Sequence, residues 1–200
     1  NSYFESKSTG STYVQAGAIT ARLGEAYSSS LINTSNTITN CYVDAILNNK
    51  NTTASNTLAL GGIVGMTVNN YDSVSSKISD CVFAGTILNS VGCTGGIVGR
   101  LNAGGATISN CLNIGVINSV NNVTGAILGG TNQNSCTISD CMNLSNNITD
   151  ANDTPSELIG SPYVDCSRVT VTNFSVVKGF RTTNKYLASP EVSVEQEQWT

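Results

Sequence analysis

The sequence predicts an all-β protein, a right-handed parallel β-helix of about five coils followed by a non-repeat tail, and three observations carry that prediction. A short phrase returns as Ile38-Thr39-Asn40-Cys41, Ile78-Ser79-Asp80-Cys81, Ile108-Ser109-Asn110-Cys111, Ile138-Ser139-Asp140-Cys141 and Val171-Thr172-Asn173-Phe174, its last position advancing by 40, 30, 30 and 33 residues. A glycine phrase alternates with it: Gly61-Gly62-Ile63-Val64-Gly65, Gly95-Gly96-Ile97-Val98-Gly99 and Gly125-Ala126-Ile127-Leu128-Gly129, with weaker copies at Gly17-Ala18-Ile19 and Leu158-Ile159-Gly160. The runs between these phrases are short and rich in Ile, Val and Thr, and none holds helical spacing long enough for a helix.

Each part of the repeat has a physical role in such a coil. Ile and Cys in the first phrase are three residues apart, so a straight strand would send them to opposite faces. A corner at the Asn or Asp between them lets both point inward, and these two residue types tolerate the left-handed conformation that a corner needs. Asn40, Asp80, Asn110, Asp140 and Asn173 are therefore expected to form a turn ladder. The glycines before Ile63, Ile97 and Ile127 are expected at a second type of corner, where a side chain would not fit. Cys41, Cys81, Cys111 and Cys141 then form an inward column of core thiols, about 4.8 Å apart from coil to coil. That spacing also lies within reach of a disulfide.

Asn1-Ser2-Tyr3-Phe4 aligns with Asn40-Cys41-Tyr42-Val43, which puts Ser2 under the cysteine column and residue 1 inside a repeat. A piece of a longer solenoid and a processed chain both fit that start. The repeat domain is expected over residues 1–179, and residues 180–200 form a capping or subunit-docking tail. In the tail, Val192 and Val194 alternate like a strand, Pro190 bars an interior strand position, and Trp199 is the one tryptophan.

The run from Gly95-Gly96-Ile97-Val98-Gly99 to Thr107-Ile108-Ser109-Asn110-Cys111-Leu112-Asn113-Ile114-Gly115 resembles the GLUG-type repeat of bacterial surface proteins and adhesins, which also occurs in the non-catalytic part of some secreted metallopeptidases. The likeness covers about residues 1–177, and cysteine departs from the small or aromatic residue usual at its position. No metallopeptidase motif accompanies it, so the resemblance implies a scaffold or adhesive role only.

Composition narrows the function further. Charged residues are 11% of the chain, histidine is absent and the net charge is −4, so no basic stripe is present to bind nucleic acid. The polar, nearly uncharged surface suits an extracellular or cell-surface protein. No apolar run approaches the roughly 20 residues of a membrane span. No signal peptide is visible, so export would imply its removal.

Catalytic, cofactor and metal sites are not expected. Without histidine a serine or cysteine nucleophile lacks its usual base, and no CxxC pair offers metal ligands. Asp80 and Asp140 fall two coils apart, which suits corners better than a paired acid and base. Cys93, Cys136 and Cys166 lie off the column, with Cys136 and Cys166 close enough in the repeat to bridge adjacent coils. Seven glycosylation sequons, at Asn33, Asn51, Asn122, Asn143, Asn147, Asn152 and Asn173, are about what so asparagine-rich a chain produces by chance.

Two surfaces remain as candidates. Thr37, Thr39, Thr107, Ser109, Thr137, Ser139, Thr170 and Thr172 flank an inward Ile or Val, so their hydroxyls form two outward columns interrupted by Lys77, a candidate face for a glycan or ice. Past the cysteines, Cys111, Asn113, Gly115 and Ile117 alternate inward. That leaves Leu112, Ile114 and Val116 outward beside Tyr42, Ile46, Val82, Met142 and Leu144. An apolar outer face calls for a cover. The 66–77 and 145–156 links or a neighbouring subunit would serve, and the tail with Val192, Val194 and Trp199 is a candidate contact for head-to-tail assembly. The sequence thus supports a non-enzymatic structural or adhesive protein that associates with itself or with other surface proteins, with a glycan- or ice-binding module as the alternative.

Overall fold

The computed structural model describes residues 2–6, 15–24, 36–49, 59–68, 75–120, 123–131, 135–145, 147–151, 158–160 and 169–176. The first coil comprises β1 (Ser2–Ser6), β2 (Gln15–Gly17), β3 (Thr20–Leu23), β4 (Asn36–Thr39) and β5 (Tyr42–Val43). The second comprises β6 (Ala45–Asn49), β7 (Ala59–Gly61), β8 (Val64–Val68), β9 (Ser75–Ser79) and β10 (Val82–Phe83). The third is β11 (Thr86–Ser90), β12 (Cys93–Gly95), β13 (Val98–Ala103), β14 (Gly105–Ser109) and β15 (Leu112–Asn113). The fourth is β16 (Val116–Ser119), β17 (Thr124–Gly125), β18 (Leu128–Thr131), β19 (Cys136–Ser139) and β20 (Met142–Asn143). The fifth holds β21 (Ile148–Thr149), β22 (Val169–Thr172) and β23 (Ser175–Val176), with Ile159 bridging to Leu128.

Every pairing is parallel and joins one coil to the next, so the chain visits five sheets in a fixed order once per turn. The protein is a parallel β-solenoid. Its sheets run β1-β6-β11-β16-β21, β2-β7-β12-β17, β3-β8-β13-β18, β4-β9-β14-β19-β22 and β5-β10-β15-β20-β23.

Identical inward positions stack into the core. Ile38, Ile78, Ile108, Ile138 and Val171 are in register across the fourth-listed sheet, as are Leu47, Ile87, Ile117 and Ile148 across the first. From Ile78 onward the isoleucines of both columns are almost fully buried. Phe83 fills the middle of the cross-section, and glycines make room for it. A Cβ on Gly62 would collide with its ring, one on Gly115 would sit 2.6 Å from Cε1, and one on Gly85 2.9 Å from Cε2. The Gly61, Gly95 and Gly125 corners are tight for another reason: a Cβ at each would strike the carbonyl oxygen three residues on, at Val64, Val98 and Leu128.

Three features depart from the expected layout. β1 lies beside β6, with Ser2 opposite Ala45 and Phe4 opposite Leu47, so Ser2 does not stack under Cys41. The two alignments differ by four residues, an even shift that keeps the same alternation of faces, and alternation alone cannot separate them. The 66–77 and 145–156 segments are links only in part, and residues 69–74, 146 and 152–157 lie outside the described residues. Residues 66–68 belong to β8, 75–77 to β9, and Ile148 pairs with Ile117 as an inward strand residue of the fifth coil. Finally, residues 59–68, 91–99 and 123–131 are buried throughout, so from the second coil to the fourth the second and third sheets are covered on their outer side as well, while β2 and β3 are not. Ala59, Met66 and Val68 form a buried cluster separate from the main core.

Candidate functional site

The asparagine and aspartate corners share one backbone conformation. Asn40, Asp80, Asn110, Asp140 and Asn173 have φ between 50° and 56°, the left-handed region. Asn89 joins them at φ 56° as a corner outside the repeated phrase, where its Nδ2 donates to Asn48 Oδ1 at 3.1 Å. Along the ladder, carboxamides and carboxylates alternate. Asn110 Nδ2 donates to Asp80 Oδ1 at 3.1 Å, and Asn173 Nδ2 donates to Asp140 Oδ1 at 2.9 Å. Thr39 Oγ1 donates to the other Asp80 oxygen at 3.2 Å.

Hydrogen bonding by Ser79, then by Asn110 and Thr39, with Lys77 nearby, holds the Asp80 carboxyl below the usual carboxylate range. A carboxyl depressed in the folded state adds stability that is present above the ordinary carboxylate pKa and lost as pH falls through the folded value. Asp80→Asn is expected to flatten the acid limb of the stability-pH curve, measured as the urea midpoint from pH 7 to pH 3. At Asn110, replacement by alanine is expected to cost about 1–2 kcal/mol from the left-handed backbone alone. Replacement by glycine should cost less, a ranking that the same urea titration reads.

One residue past each corner stands the cysteine column. Cys81, Cys111 and Cys141 are buried, Cys41 is half-buried, and Phe174 closes the column in the fifth coil. Cys41, Cys81, Cys93, Cys111, Cys136 and Cys141 are free thiols. No bridge from Cys136 is therefore present, and Cys166 lies outside the described residues. Each column thiol donates to the carbonyl two residues before it, at 3.3, 3.0, 3.2 and 3.3 Å in chain order. The last three also lean toward the preceding coil, with Sγ 4.0, 3.8 and 3.6 Å from the carbonyls of Ile38, Ile78 and Ile108.

Burial and then the nearby Cys81 raise the Cys41 thiol, and the Cys111 thiol, with burial, raises Cys81. Cys111 is pushed up to about 12, mainly by Cys141, while Cys141 itself is held down by Cys111. Off the column, burial lifts Cys93 to about 11 and Cys136 to about 12.

On the hydroxyl face, Thr37, Lys77, Thr107, Thr137 and Thr170 form one in-register column, and Thr39, Ser79, Ser109, Ser139 and Thr172 the other. Thr37, Thr39, Thr137, Thr170 and Thr172 are exposed, but Thr107, Ser109 and Ser139 are half-buried and Ser79 is buried. Lys77 is exposed in the middle of its column.

The apolar face is the more continuous of the two. Tyr42, Val82, Leu112 and Met142 are in register on the β5-β10-β15-β20 sheet, and Ala84, Ile114 and Leu144 follow two residues on. Ile46, Thr86 and Val116 make a third column. Tyr42 is 68% exposed, Ile114 42%, Leu144 41% and Ile46 38%, whereas Val82, Leu112, Val116 and Met142 are half-buried. Asp44 is the charged residue of this strip. Val192, Val194 and Trp199 lie outside the described residues.

Behind the same sheet the inward Asn113 is satisfied by partners that its place in the repeat does not reveal. Asn113 Nδ2 donates to Asn143 Oδ1 at 3.0 Å, Gly115 N donates to Asn113 Oδ1 at 3.1 Å, and Asn143 Nδ2 donates to the Ser145 carbonyl at 3.2 Å. Both carboxamides are fully buried, which removes Asn143 from the usable sequons. The signal was in the sequence: both stand two residues after a column cysteine, where the earlier coils carry Val43 and Phe83.

Compared with protein-family models, with curated proteins and with solved structures, the chain matches none. Among the described residues no group of three or more Cys, Asp or Glu side chains is arranged to hold a metal ion. No helix among them is long and apolar enough to cross a membrane.

Proposed function

We propose that the chain is an extracellular, non-enzymatic structural or adhesive repeat protein that works by associating with copies of itself, in the class of the GLUG-type surface repeats its sequence resembles. The observation that carries this reading is the exposed apolar strip, in which Tyr42, Val82, Leu112 and Met142 line up over four coils with Ile114 and Leu144 beside them. An outer sheet face this apolar is stabilised by removing it from water. The ends of the solenoid add a second contact. Among the described residues β1 to β5 have strand partners on one side only, and the parallel edge they present is complementary to that of the fifth coil. Joining the two gives a head-to-tail filament.

Negative-stain electron microscopy with light scattering tests this reading. Fibres or discrete oligomers support it. A monodisperse short rod at every concentration overturns it and leaves the second reading, a glycan- or ice-binding module on the Thr/Ser face. The observation favouring that alternative is the five-rank register of its two columns. Its weakness is the partial burial of the middle ranks.

A further inference from the structure

The cysteine column poses a chemical question that assembly does not answer, because four thiols on successive coils form a single file with one accessible end. Cys41 is half-buried in the first coil, while Cys81, Cys111 and Cys141 are 0%, 1% and 1% exposed. Backbone bonds clamp neighbouring coils at these residues. The N–H of Val82, Leu112 and Met142 donates to the carbonyl of Cys41, Cys81 and Cys111 at 2.8, 2.9 and 2.9 Å. The Cα atoms of successive cysteines are therefore held at strand spacing, about 4.8 Å, inside the range a disulfide spans. The three buried sulfurs also lie within reach of carbonyls of the preceding coil, and each column thiol interacts side chain to side chain with the next.

We propose that the column is a thiol–disulfide relay, which takes oxidising equivalents from a low-molecular-weight disulfide at Cys41 and passes them inward to end as Cys41–Cys81 and Cys111–Cys141 bridges. Thiolate attack on a disulfide needs the three sulfurs nearly in line, and a stacked column supplies that arrangement. In the first step Cys41 attacks the small disulfide RSSR, forming a mixed disulfide and releasing one RSH, which takes up the Cys41 proton. Cys81 then attacks the Cys41 sulfur, forms Cys41–Cys81 and expels the second RSH. Cys111 attacks Cys81, so the bridge moves one coil inward and Cys41 leaves with the proton that Cys111 gives up. Cys141 attacks Cys111 in the same way, forming Cys111–Cys141 and freeing Cys81.

A second RSSR at Cys41 restores the Cys41–Cys81 bridge. Four thiols and two RSSR thus give two protein disulfides and four RSH. Polarisation of the column agrees with this direction, since Cys141 is the member whose thiolate its neighbour favours. The elevated Cys41, Cys81 and Cys111 thiols make the transfers in which they attack slow near neutrality. Exchange should speed up about tenfold per pH unit while the attacking thiols remain mostly protonated.

The test uses the full chain with glutathione disulfide, alkylation at timed intervals and peptide mapping by mass spectrometry, with far-UV circular dichroism as the check on folding. In the native chain Cys41–Cys81 is expected first and Cys111–Cys141 later. Cys81→Ser should leave a glutathione adduct on Cys41 and slow the Cys111–Cys141 bridge by at least about tenfold. Cys41→Ser, a change at the half-buried end that is easily tolerated, should slow both column bridges by the same order. Formation of Cys111–Cys141 at the native rate in either variant overturns the relay, because it means the inner thiols are oxidised directly. A native chain that stops at the Cys41 adduct overturns it too.

Discussion

Replacing Leu112 and Ile114 together by aspartate is expected to abolish self-association while leaving the far-UV circular dichroism spectrum and urea midpoint close to those of the native chain. Both side chains point away from the core, and their inward neighbours Cys111, Asn113 and Gly115 are untouched. Burying two such residues in a contact contributes about 3 kcal/mol even at partial efficiency, and two buried carboxylates would oppose the contact further. The association constant should therefore fall by at least about a hundredfold. Light scattering over a dilution series reads this directly. A doubly substituted chain that assembles like the native one would remove the strip from the mechanism and leave the coil ends as the only contact.

The largest loss of stability is expected from Phe83→Ala, about 3–5 kcal/mol. The high end of that range is argued from the surroundings. The ring is enclosed by Gly62, Gly85 and Gly115; backbone bonds to the next coil hold Gly62 and Gly85, and the Asn113 carboxamide holds Gly115. Glycines have no side chain to swing into the void, so the cavity stays open. Against a total stability of about 5–15 kcal/mol, this is enough to unfold the middle of a solenoid whose coils depend on their neighbours. Urea denaturation followed by circular dichroism measures it, and a loss below about 1 kcal/mol would mean that the site collapses around the deletion.

Much of this architecture was legible because a stacked fold writes each structural position several times. The left-handed corners could be placed from Asn110 and Asp140 because the same phrase recurs at each, and the inward isoleucines because they keep a fixed distance from those corners. Legibility failed where a residue has no counterpart or where two registers satisfy the same pattern. Ser2 could align with Cys41 or with Ala45 under the same alternating pattern, and only the backbone pairing separates the two registers. Ile148 was hidden among asparagines that read as a link. The outer burial of Met66 and Val68 was not legible either, since it depends on what packs over the sheet and not on the strand itself. For the candidate faces, the members of each column follow from the repeat, whereas their exposure depends on the packing around them. That is why the middle ranks of the hydroxyl face proved half-buried while Tyr42 and Ile114 stand clear.

The alternation along the corner ladder sets a rule for how this chain can lengthen. Along the ladder an asparagine donates to the aspartate of the coil before it, as Asn110 does to Asp80 and Asn173 to Asp140. A single extra coil inserted between two existing coils would bring two like corners together. Two carboxylates at strand spacing repel by about 1 kcal/mol even in water, whereas two carboxamides do not. The natural unit of growth is therefore a matched pair of coils, an aspartate coil followed by an asparagine coil. A lone coil inserted inside the series is tolerated only when it carries the neutral corner.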